Sequence, residues 1–572
     1  MRKWFSRWFE IDILLNENRK MQRTQTVLVS LLTLILLHPL VYADSPGDTL
    51  GTTWDEWQSP ACAVRRAALD ELGGVHFAWT NRVGGSSGER HIYYNFIDEH
   101  GFMLQPGGRQ VNRNVESKYA CLDINSENVA VISYYNFATG ENCLLAVDAL
   151  RGFGEFTEYD PPNRLFGSEL YFWPRITVDH QGYIHLCAIQ HPMQESPTIM
   201  LYTRSEDGGA SWTTPVAVDT TYLSQSFALA SSPCNNRVAI PFIRPDDLFN
   251  PVLFDVMYVE SDDGVNWDFE NGDVNVTNYQ VSDSLYPGID LDAVYDNQGN
   301  LHLIWNAVRE FAGGALETRI YHWSEGAGIS LVTSESDWVD PGASDLPLAK
   351  VSLGVDSDDN LFAVWTKFSL DDCAVNDLPN GELFFSYSTD GGTVWSEPQN
   401  ITNSPTPDCY QGECDSDHWA SMAERVDDFA HIVYVNDKYA GATAPAQPED
   451  KTENPVLYLK VPNPARTSVE EAQNDLQPES FRLAQNYPNP FNLETRIEVE
   501  LGNLNFEQTP TLKIFNLQGQ EVRGYVLEND RTVQEIVWDG RDDSGKVVSS
   551  GIYFYQLRCG DFSETKTMSV LK

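Results

Sequence analysis

The sequence predicts an all-β protein, a seven-bladed β-propeller followed by a small Ig-like β-sandwich, on three observations. The first is composition. The 572 residues include 12% aromatics, with 15 Trp and 25 Tyr, alongside 39 Gly and 30 Pro. That mixture suits many short strands joined by tight turns. The second is an internal repeat through the middle of the chain. The third is a separate run of strand-like segments close to the C-terminus.

The repeat is an apolar strand, an Asp/Gly/Asn turn, and a second strand ending in an aromatic. Its clearest copies run from Ile176 to Leu186 and from Leu291 to Trp305. Weaker ones span Leu69 to Trp79, Leu122 to Tyr135, Leu229 to Phe242, Val355 to Trp365 and Met422 to Tyr434. Anchored on the second strand, they fall at His76, Ala130, His185, Ala239, His302, Phe362 and His431, with gaps of 54, 55, 54, 63, 60 and 69 residues. Units of this length, each with two hairpins, fit four-stranded blades. The last unit ends at Val456 to Lys460 without a fourth strand, and Thr49 to Gln58 precedes the first unit without a partner. The segment is expected to supply that strand and remove an open sheet edge; six blades is the alternative. The histidines that recur on second strands fall on different blades, so packing or inter-strand hydrogen bonding explains them better than a shared metal.

The second hairpin of several units carries a sharper signature. Ser205, Asp207, Gly209 and Trp212 lie in one turn, Ser261, Asp263 and Trp267 in a second, and Ser388, Asp390, Gly392 and Trp395 in a third. Ser and Asp side chains bond the turn backbone, glycine takes positive φ, and Trp packs beneath the blade. These turns resemble the Asp-box, or BNR, repeat of sialidase-like propellers. They are expected to be folding devices at the lower face, not catalytic groups.

Residues 1–43 read as a secretory signal peptide. Arg19, Lys20 and Arg23 precede the apolar run Val27 to Leu40, and Val41-Tyr42-Ala43 places cleavage before Asp44. The run is short for a membrane span, so no span is expected in the mature chain. Met21 stands where such a peptide would ordinarily begin, which makes it the alternative start. Residues 44–462 then form the propeller, 463–480 a polar linker, and 481–572 the sandwich. Within the last, Gln485 to Asn492 (Gln-Asn-Tyr-Pro-Asn-Pro-Phe-Asn), Ile514 to Gly519, Trp538-Asp-Gly540, Ser550 to Tyr555 and Lys566-Thr-Met568 resemble the type A C-terminal sorting domain of type IX secretion cargo. The resemblance implies export across the outer membrane of a Gram-negative-type bacterium by its secretion machinery, to the cell surface or the medium.

With 83 acidic against 38 basic residues, the chain has a formal charge of −45. Nucleic acid is excluded as a partner, because its recognition needs a basic footprint. The nine cysteines hold no CxxC pair; Cys409 and Cys414 share a loop and are disulfide candidates, and Cys373 could pair with either. Two acidic loops, with Asp371, Asp372 and Asp377 in one and Asp415 and Asp417 in the other, offer hard oxygen ligands that could suit Ca²⁺ without EF-hand spacing. Solvation around a disulfide is the plainer account.

The resemblance to sialidase-like propellers implies that any ligand site lies on the upper face, opposite the Asp boxes. The starts of the innermost strands place Arg65, Lys118, Trp173, Arg175, Phe227, Tyr286, Asp290, Lys350, His418 and Trp419 there. Loops between second and third strands add Arg82, Arg244, Arg309 and Glu310. Trp173, Arg175, Tyr286 and Trp419 are the ligand-binding candidates. Arg82, Arg175, Arg244, Arg309 and Glu310 are the catalytic ones, since clustered arginines can hold a carboxylate bidentately. A sialidase-like hydrolase would require an arginine triad beside a Tyr–Glu pair. Arg175 lies in Trp-Pro-Arg-Ile of the third unit and lacks the following Pro of the family motif, so extracellular glycan or protein binding is the first reading and hydrolysis the alternative.

Overall fold

The computed structural model contains two compact units, residues 1–466 and 467–572. In the first it describes residues 45–466 except 56, 61, 86, 113–115, 137–141, 163–169, 192–197, 222–225, 247–252, 312–313, 343–344 and 443–450. In the second it describes 482–570 except 484–485, 487–490, 492–494, 501–508, 517–520, 528–532, 550 and 560–561. The signal peptide and most of the linker lie outside the described residues.

The described residues are almost entirely strands and turns. The first unit holds seven sheets in chain order, spanning residues 67–110, 117–159, 170–221, 230–275, 285–335, 348–400 and 416–462. The first five are four-stranded antiparallel meanders. The sixth adds a short parallel strand, Arg425–Val426, beside its innermost strand. The seventh takes three strands from its own segment and its outer strand from Asp48–Thr53, which pairs antiparallel with Asn454–Pro462 from Asp48↔Tyr458 to Thr53↔Asn454. The pairing overlaps the segment expected to close the set, starting one residue before it at Asp48 and stopping at Thr53.

Apolar cores join consecutive sheets. Tyr94 and Leu122 bring sheets 1 and 2 together, Leu145 and Ile176 sheets 2 and 3, and Tyr202 and Ile240 sheets 3 and 4. Tyr258 and Trp305 bridge sheets 4 and 5, Ile304 and Trp365 sheets 5 and 6, and Phe385 and Tyr434 sheets 6 and 7. A last core packs Phe77 and Trp79 of sheet 1 on Val433 and Tyr458 of sheet 7, so the series returns to its start. Fully burying one such large side chain contributes roughly 1.5–3 kcal/mol.

The repeated turns explain why the sequence folds this way locally. Ser205 Oγ donates to Asp207 Oδ1 at 2.9 Å and accepts from Gly209 N at 2.8 Å, and Trp212 Nε1 donates to Gly209 O at 2.9 Å. The turn at Ser388 repeats this, with Ser388 Oγ to Asp390 Oδ1 at 2.8 Å, Gly392 N to Ser388 Oγ at 3.0 Å and Trp395 Nε1 to Gly392 O at 3.1 Å. The shorter turn at Ser261 keeps the Ser261–Asp263 bond at 3.1 Å, but Trp267 Nε1 has no partner there. The recurring histidines form a second device. His76 lies between Asp70 (3.2 Å) and Tyr94 (2.7 Å), His185 between Asp179 (3.0 Å) and Tyr202 (2.8 Å), and His431 between Asp427 (3.0 Å) and Tyr458 (2.6 Å). In sheet 5 His322 replaces the tyrosine beside His302, at 3.0 Å. Each set ties a turn to two neighbouring strands. Burial lowers the pKa of His76 and His185, which favours their neutral forms.

The second unit has two sheets, one of three strands and one of four. They enclose Leu483, Phe491, Ile497, Ile514, Trp538, Tyr553 and Tyr555. Asn486 donates to Thr495 Oγ1 at 2.8 Å and its backbone N–H to the Tyr555 hydroxyl at 2.9 Å, while Phe491 meets Trp538 edge-on at 5.6 Å. The motif residues described here are therefore core and turn residues.

Two neighbouring glycines separate backbone strain from crowding. Both have positive φ, +72° at Gly391 and +86° at Gly392, but a Cβ on Gly391 meets nothing within 4 Å and one on Gly392 would lie 2.0 Å from His322 Cε1. Gly391→Ala is expected to cost about 1–2 kcal/mol from the left-handed backbone alone. Gly392→Ala adds overpacking of about 1–3 kcal/mol, a ranking that denaturant unfolding of the two variants measures.

Candidate functional site

The innermost strands carry a repeated irregularity near their starts. The pairing register slips between Lys118 and Cys121, Phe172 and Arg175, Pro287 and Leu291, Ala349 and Ser352, and His418 and Ser421. Within four of these slips a non-glycine residue takes positive φ: Tyr119, Trp173, Lys350 and Trp419. Such bulges re-aim side chains and recur beside functional sites. Here they surround residues 54–66, the connection from the outer strand of sheet 7 to the first strand of sheet 1.

That connection is bound from many sides. Asp55 accepts from Arg82 Nη2 at 3.1 Å, Arg90 Nε at 2.5 Å and Lys118 Nζ at 2.9 Å. Burial raises the Asp55 carboxyl, but the Lys118 and Arg90 charges outweigh it and hold the pKa down at about 2. Gln58 exchanges hydrogen bonds with the Thr80 backbone, at 2.9 and 3.1 Å. Arg175 donates to Ala63 O at 2.8 Å and Cys62 O at 3.3 Å, with Cys62 Sγ at 3.0 Å and the Phe227 ring at 5.2 Å. Arg65 reaches Glu424 at 2.7 Å and Asp123 at 3.4 Å. Arg66 donates its backbone N–H to Ser421 Oγ at 2.9 Å and its Nη2 to Trp419 O. Among the described residues no carboxylate pairs with it, and burial lowers its pKa to about 9.

Sheets 5 to 7 contribute a buried charge cluster beside the connection. Lys350 Nζ lies 2.7 Å from Asp345 Oδ1, 4.0 Å from Asp290 Oδ1 and 4.4 Å from the Trp419 ring centroid. His418 Nε2 is 3.3 Å from Asp345 Oδ2. Burial lowers the Lys350 pKa, but the Asp345 and Asp290 charges reverse that, so the ammonium persists. Asp345, in direct contact, is held below its usual range against burial. Asp290, farther off, is raised by burial. Burial also lowers His418. The cleft between Ser59, Val64, Arg66, Lys350 and Trp419 is too narrow to hold a water molecule. Beside Lys350 and Trp419, then, the described residues of the connection leave no room for solvent.

The sequence-predicted residues divide accordingly. Arg175 and Trp419 contact the connection, Trp173 packs against the core between sheets 3 and 4, and Tyr286 is half-buried at the start of sheet 5. The arginines do not converge. Arg82 is tied to Asp55 and Arg175 to the connection. Arg244 pairs with Asp273 at 2.6 Å and lies 3.8 Å from Asp219, and Arg309 lies over Phe311 at 4.9 Å, beside exposed Glu310. Hydrogen-bonded Tyr–Glu pairs occur at Tyr134–Glu158 and Tyr295–Glu260, yet neither contacts these arginines, and Glu260 binds Arg237 instead.

The calcium expectation meets committed carboxylates. Asp372 accepts from Asn380 and Thr406 N at 3.0 Å, Asp415 binds Lys438, and Asp417 accepts from Ser404 at 2.7 Å and Asn436 at 2.9 Å, while Asp371 and Asp377 are exposed. Among the described residues, no three His, Cys, Asp or Glu side chains are grouped to hold a metal. Cys409 and Cys414 do form a disulfide, with Cα atoms 5.2 Å apart, and Cys373 remains a thiol. Sequence reasoning missed Asp55, Arg66 and Asp345. All three sit in or beside connections outside the repeat, so periodicity carried no signal for them.

Residues 485–571 match the family described as the secretion system C-terminal sorting domain. The chain is therefore exported, secreted or held at the surface of a Bacteroidetes-type bacterium. Among the described residues no helix is long and apolar enough to cross a membrane. No curated protein matches the chain. Among solved structures it is similar to a family PL25 ulvan lyase, at 13% identity over 74% of this chain and 95% of that one, with a TM-score of 0.44. An α-L-arabinanase from Penicillium chrysogenum shares 9% identity over 73% and 99%, with a TM-score of 0.39. An α-L-arabinofuranosidase from Fusarium graminearum shares 11% over 60% and 93%, with a TM-score of 0.40. At this level of likeness neither activity nor substrate carries over.

Lys350→Met leaves Asp345 and Asp290 buried beside no ammonium. Breaking one side of a buried pair costs about 3–5 kcal/mol. Without Lys350 both carboxyls acquire raised folded-state pKa values, so protonation favours the fold and the deficit shrinks as pH falls. Denaturant unfolding is expected to give a larger loss at pH 8 than at pH 5.

Proposed function

We propose that this chain is a seven-bladed Asp-box propeller, exported through an Ig-like sorting domain, which binds extracellular glycan or protein at its upper face rather than hydrolysing sialosides. The dispersal of the arginines carries this reading. A carboxylate clamp needs several guanidiniums aimed at one point, whereas Arg82, Arg175 and Arg244 are each engaged by the protein's own oxygens. The Ser-x-Asp turns support the Asp-box assignment by their internal bonding, and the seven sheets support the blade count. Ligand contact then falls to the outward loops around Tyr286 and Arg309.

A glycan array and a fluorogenic sialoside, both run on the purified full chain, test the proposal. Array binding without sialoside turnover is expected, with Tyr286→Ala weakening binding by about tenfold or less, since one aromatic contact contributes roughly 1 kcal/mol. Turnover abolished by Arg175→Ala would instead establish the hydrolase. Removing residues 481–572 is expected to leave the propeller folded but confined to the periplasm, as cell fractionation would report.

A further inference from the structure

Three loops of sheets 6 and 7 interlock at the strand ends remote from the Ser388 turn. Residues 371–378 end the second strand of sheet 6 and turn into its third, residues 405–415 lead into sheet 7, and residues 438–442 follow the second strand of sheet 7. Backbone bonds tie them together. Asp408 N–H donates to Cys373 O at 2.8 Å, Val375 N–H to Cys409 O at 3.2 Å, Gly412 N–H to Lys438 O at 2.8 Å and Gly441 N–H to Pro379 O at 2.9 Å. Ala374, Cys409, Cys414 and Ala440, drawn from all three loops, share a small buried core. The Cys409–Cys414 disulfide closes the segment from Tyr410 to Glu413. A crosslink over so few residues takes little freedom from the unfolded chain, because that effect grows with loop length. Its main consequence is local: it holds these four residues in one shape.

The loops display apolar groups among carboxylates. Tyr410 is 65% exposed, Val375, bonded to Cys409 O, is 50% exposed, and Leu370, whose carbonyl accepts from the Cys373 thiol at 3.5 Å, is 51% exposed. Residues 371–378 and 405–415 contain Asp371, Asp372, Asp377, Asp408, Glu413 and Asp415, and no Lys or Arg. Lys438, the cation of the third loop, is bound by Asp415. Asp372 is 5% exposed, and its Oδ2 has no hydrogen-bond partner among the described residues. Exposed apolar side chains ringed by carboxylates fit a partner that brings cations and apolar groups together. Arginine suits both features, since its guanidinium pairs with carboxylates and stacks on a tyrosine ring. An anionic glycan is repelled here, and a neutral one gains nothing from the charge.

We propose that these disulfide-held loops dock a basic, apolar peptide segment of a partner protein, with Tyr410 as the central contact and Asp408 and Glu413 pairing with its cations. The proposal rests on the upper face being the binding face. It selects protein from the two ligand classes named for that face and adds contacts in loops other than those of Tyr286 and Arg309. The bound shape is largely present beforehand, which lowers the ordering cost of binding.

Fluorescence anisotropy of labelled, end-capped peptides with the full chain tests this. The probe is Arg-Leu-Arg-Leu-Arg, compared with Arg-Ser-Arg-Ser-Arg and Glu-Leu-Glu-Leu-Glu. The Arg-Leu peptide is expected to bind about tenfold more tightly than the Arg-Ser one, and the Glu-Leu peptide not to bind. Raising salt from about 0.05 M to about 0.5 M is expected to weaken binding by screening exposed charges. Tyr410→Ala is expected to weaken it about tenfold, as loss of a central aromatic contact does. Asp408→Asn with Glu413→Gln is expected to weaken it about tenfold and to flatten the salt dependence; asparagine tolerates the positive φ of +60° at position 408. Asp262→Asn with Glu270→Gln removes equal charge from exposed positions after Ser261 in sheet 4 and is expected to leave binding unchanged. Cys409→Ser with Cys414→Ser is expected to weaken binding about fivefold through lost preorganisation; should that variant not fold, the variants at exposed residues decide. Absence of Arg-Leu binding, unchanged binding in Tyr410→Ala, or equal loss in the Asp262–Glu270 control overturns the proposal. So does a glycan bound through Tyr410 without peptide binding. Sialoside turnover lost with Arg175→Ala overturns the reading of the upper face instead, and is measured separately from the peptide.

Discussion

Antiparallel pairing of Asp48–Thr53 with Asn454–Pro462 joins segments about four hundred residues apart and supplies sheet 7 with its outer strand. Entropy opposes bringing such distant segments together, although the cost grows only slowly with length. Sheet 1 helps to hold the strand: Asn95 donates to Leu50 O at 3.0 Å, Trp79 to Thr52 O at 3.2 Å and Thr53 to Thr80 O at 2.8 Å. Without the strand, Asn454–Pro462 would be an open edge and Phe77 and Trp79 would lose part of the core shared with Tyr458. The same pairing fixes where residues 54–66 run. Asp55 can meet Arg82, Arg90 and Lys118, and Cys62 can meet Arg175, only because the strand before them is anchored. Ring closure and filling of the enclosed space are therefore one coupled event.

The parts of this architecture legible in the sequence are those governed by local rules. The Ser-x-Asp turns, the alternating strands and the His positions obey short-range bonding and period-two burial, and they recur where the repeat placed them. The histidine partners were not legible, because Tyr94, Tyr202 and Tyr458 come from adjacent strands whose register no single segment reveals. The same holds more strongly for Arg175. As a residue type in an upper-face position it suggested a ligand clamp. Its two terminal nitrogens instead donate to two backbone carbonyls from a loop over a hundred residues earlier, while its buried Nε has no partner among the described residues. Asp372 and Asp417 read as hard cation ligands in one dimension; in three dimensions Asn380 and Thr406 bond Asp372 Oδ1, Ser404 and Asn436 bond the two Asp417 oxygens, and Asp372 Oδ2 has no hydrogen-bond partner among the described residues.

Charge makes the same distinction between what is committed and what remains open. The chain as a whole is strongly acidic, yet Arg66, Arg175 and Lys350 lie in or against residues 54–66. Those side chains serve the fold: Arg175 donates to the Ala63 and Cys62 carbonyls, Arg66, itself part of the connection, donates to Trp419 O, and Lys350 pairs with Asp345. A ligand arriving from outside cannot use them without displacing that connection, which would also release Asp55 from its three cations and strain the seam. Under the proposed binding function, recognition falls to the outward loops, where Tyr286 is half-buried and Arg309 is held over Phe311. The turns at Ser205 and Ser388 close their own hydrogen bonds down to the indole nitrogen, so under the same proposal specificity falls to the segments that break the repeat.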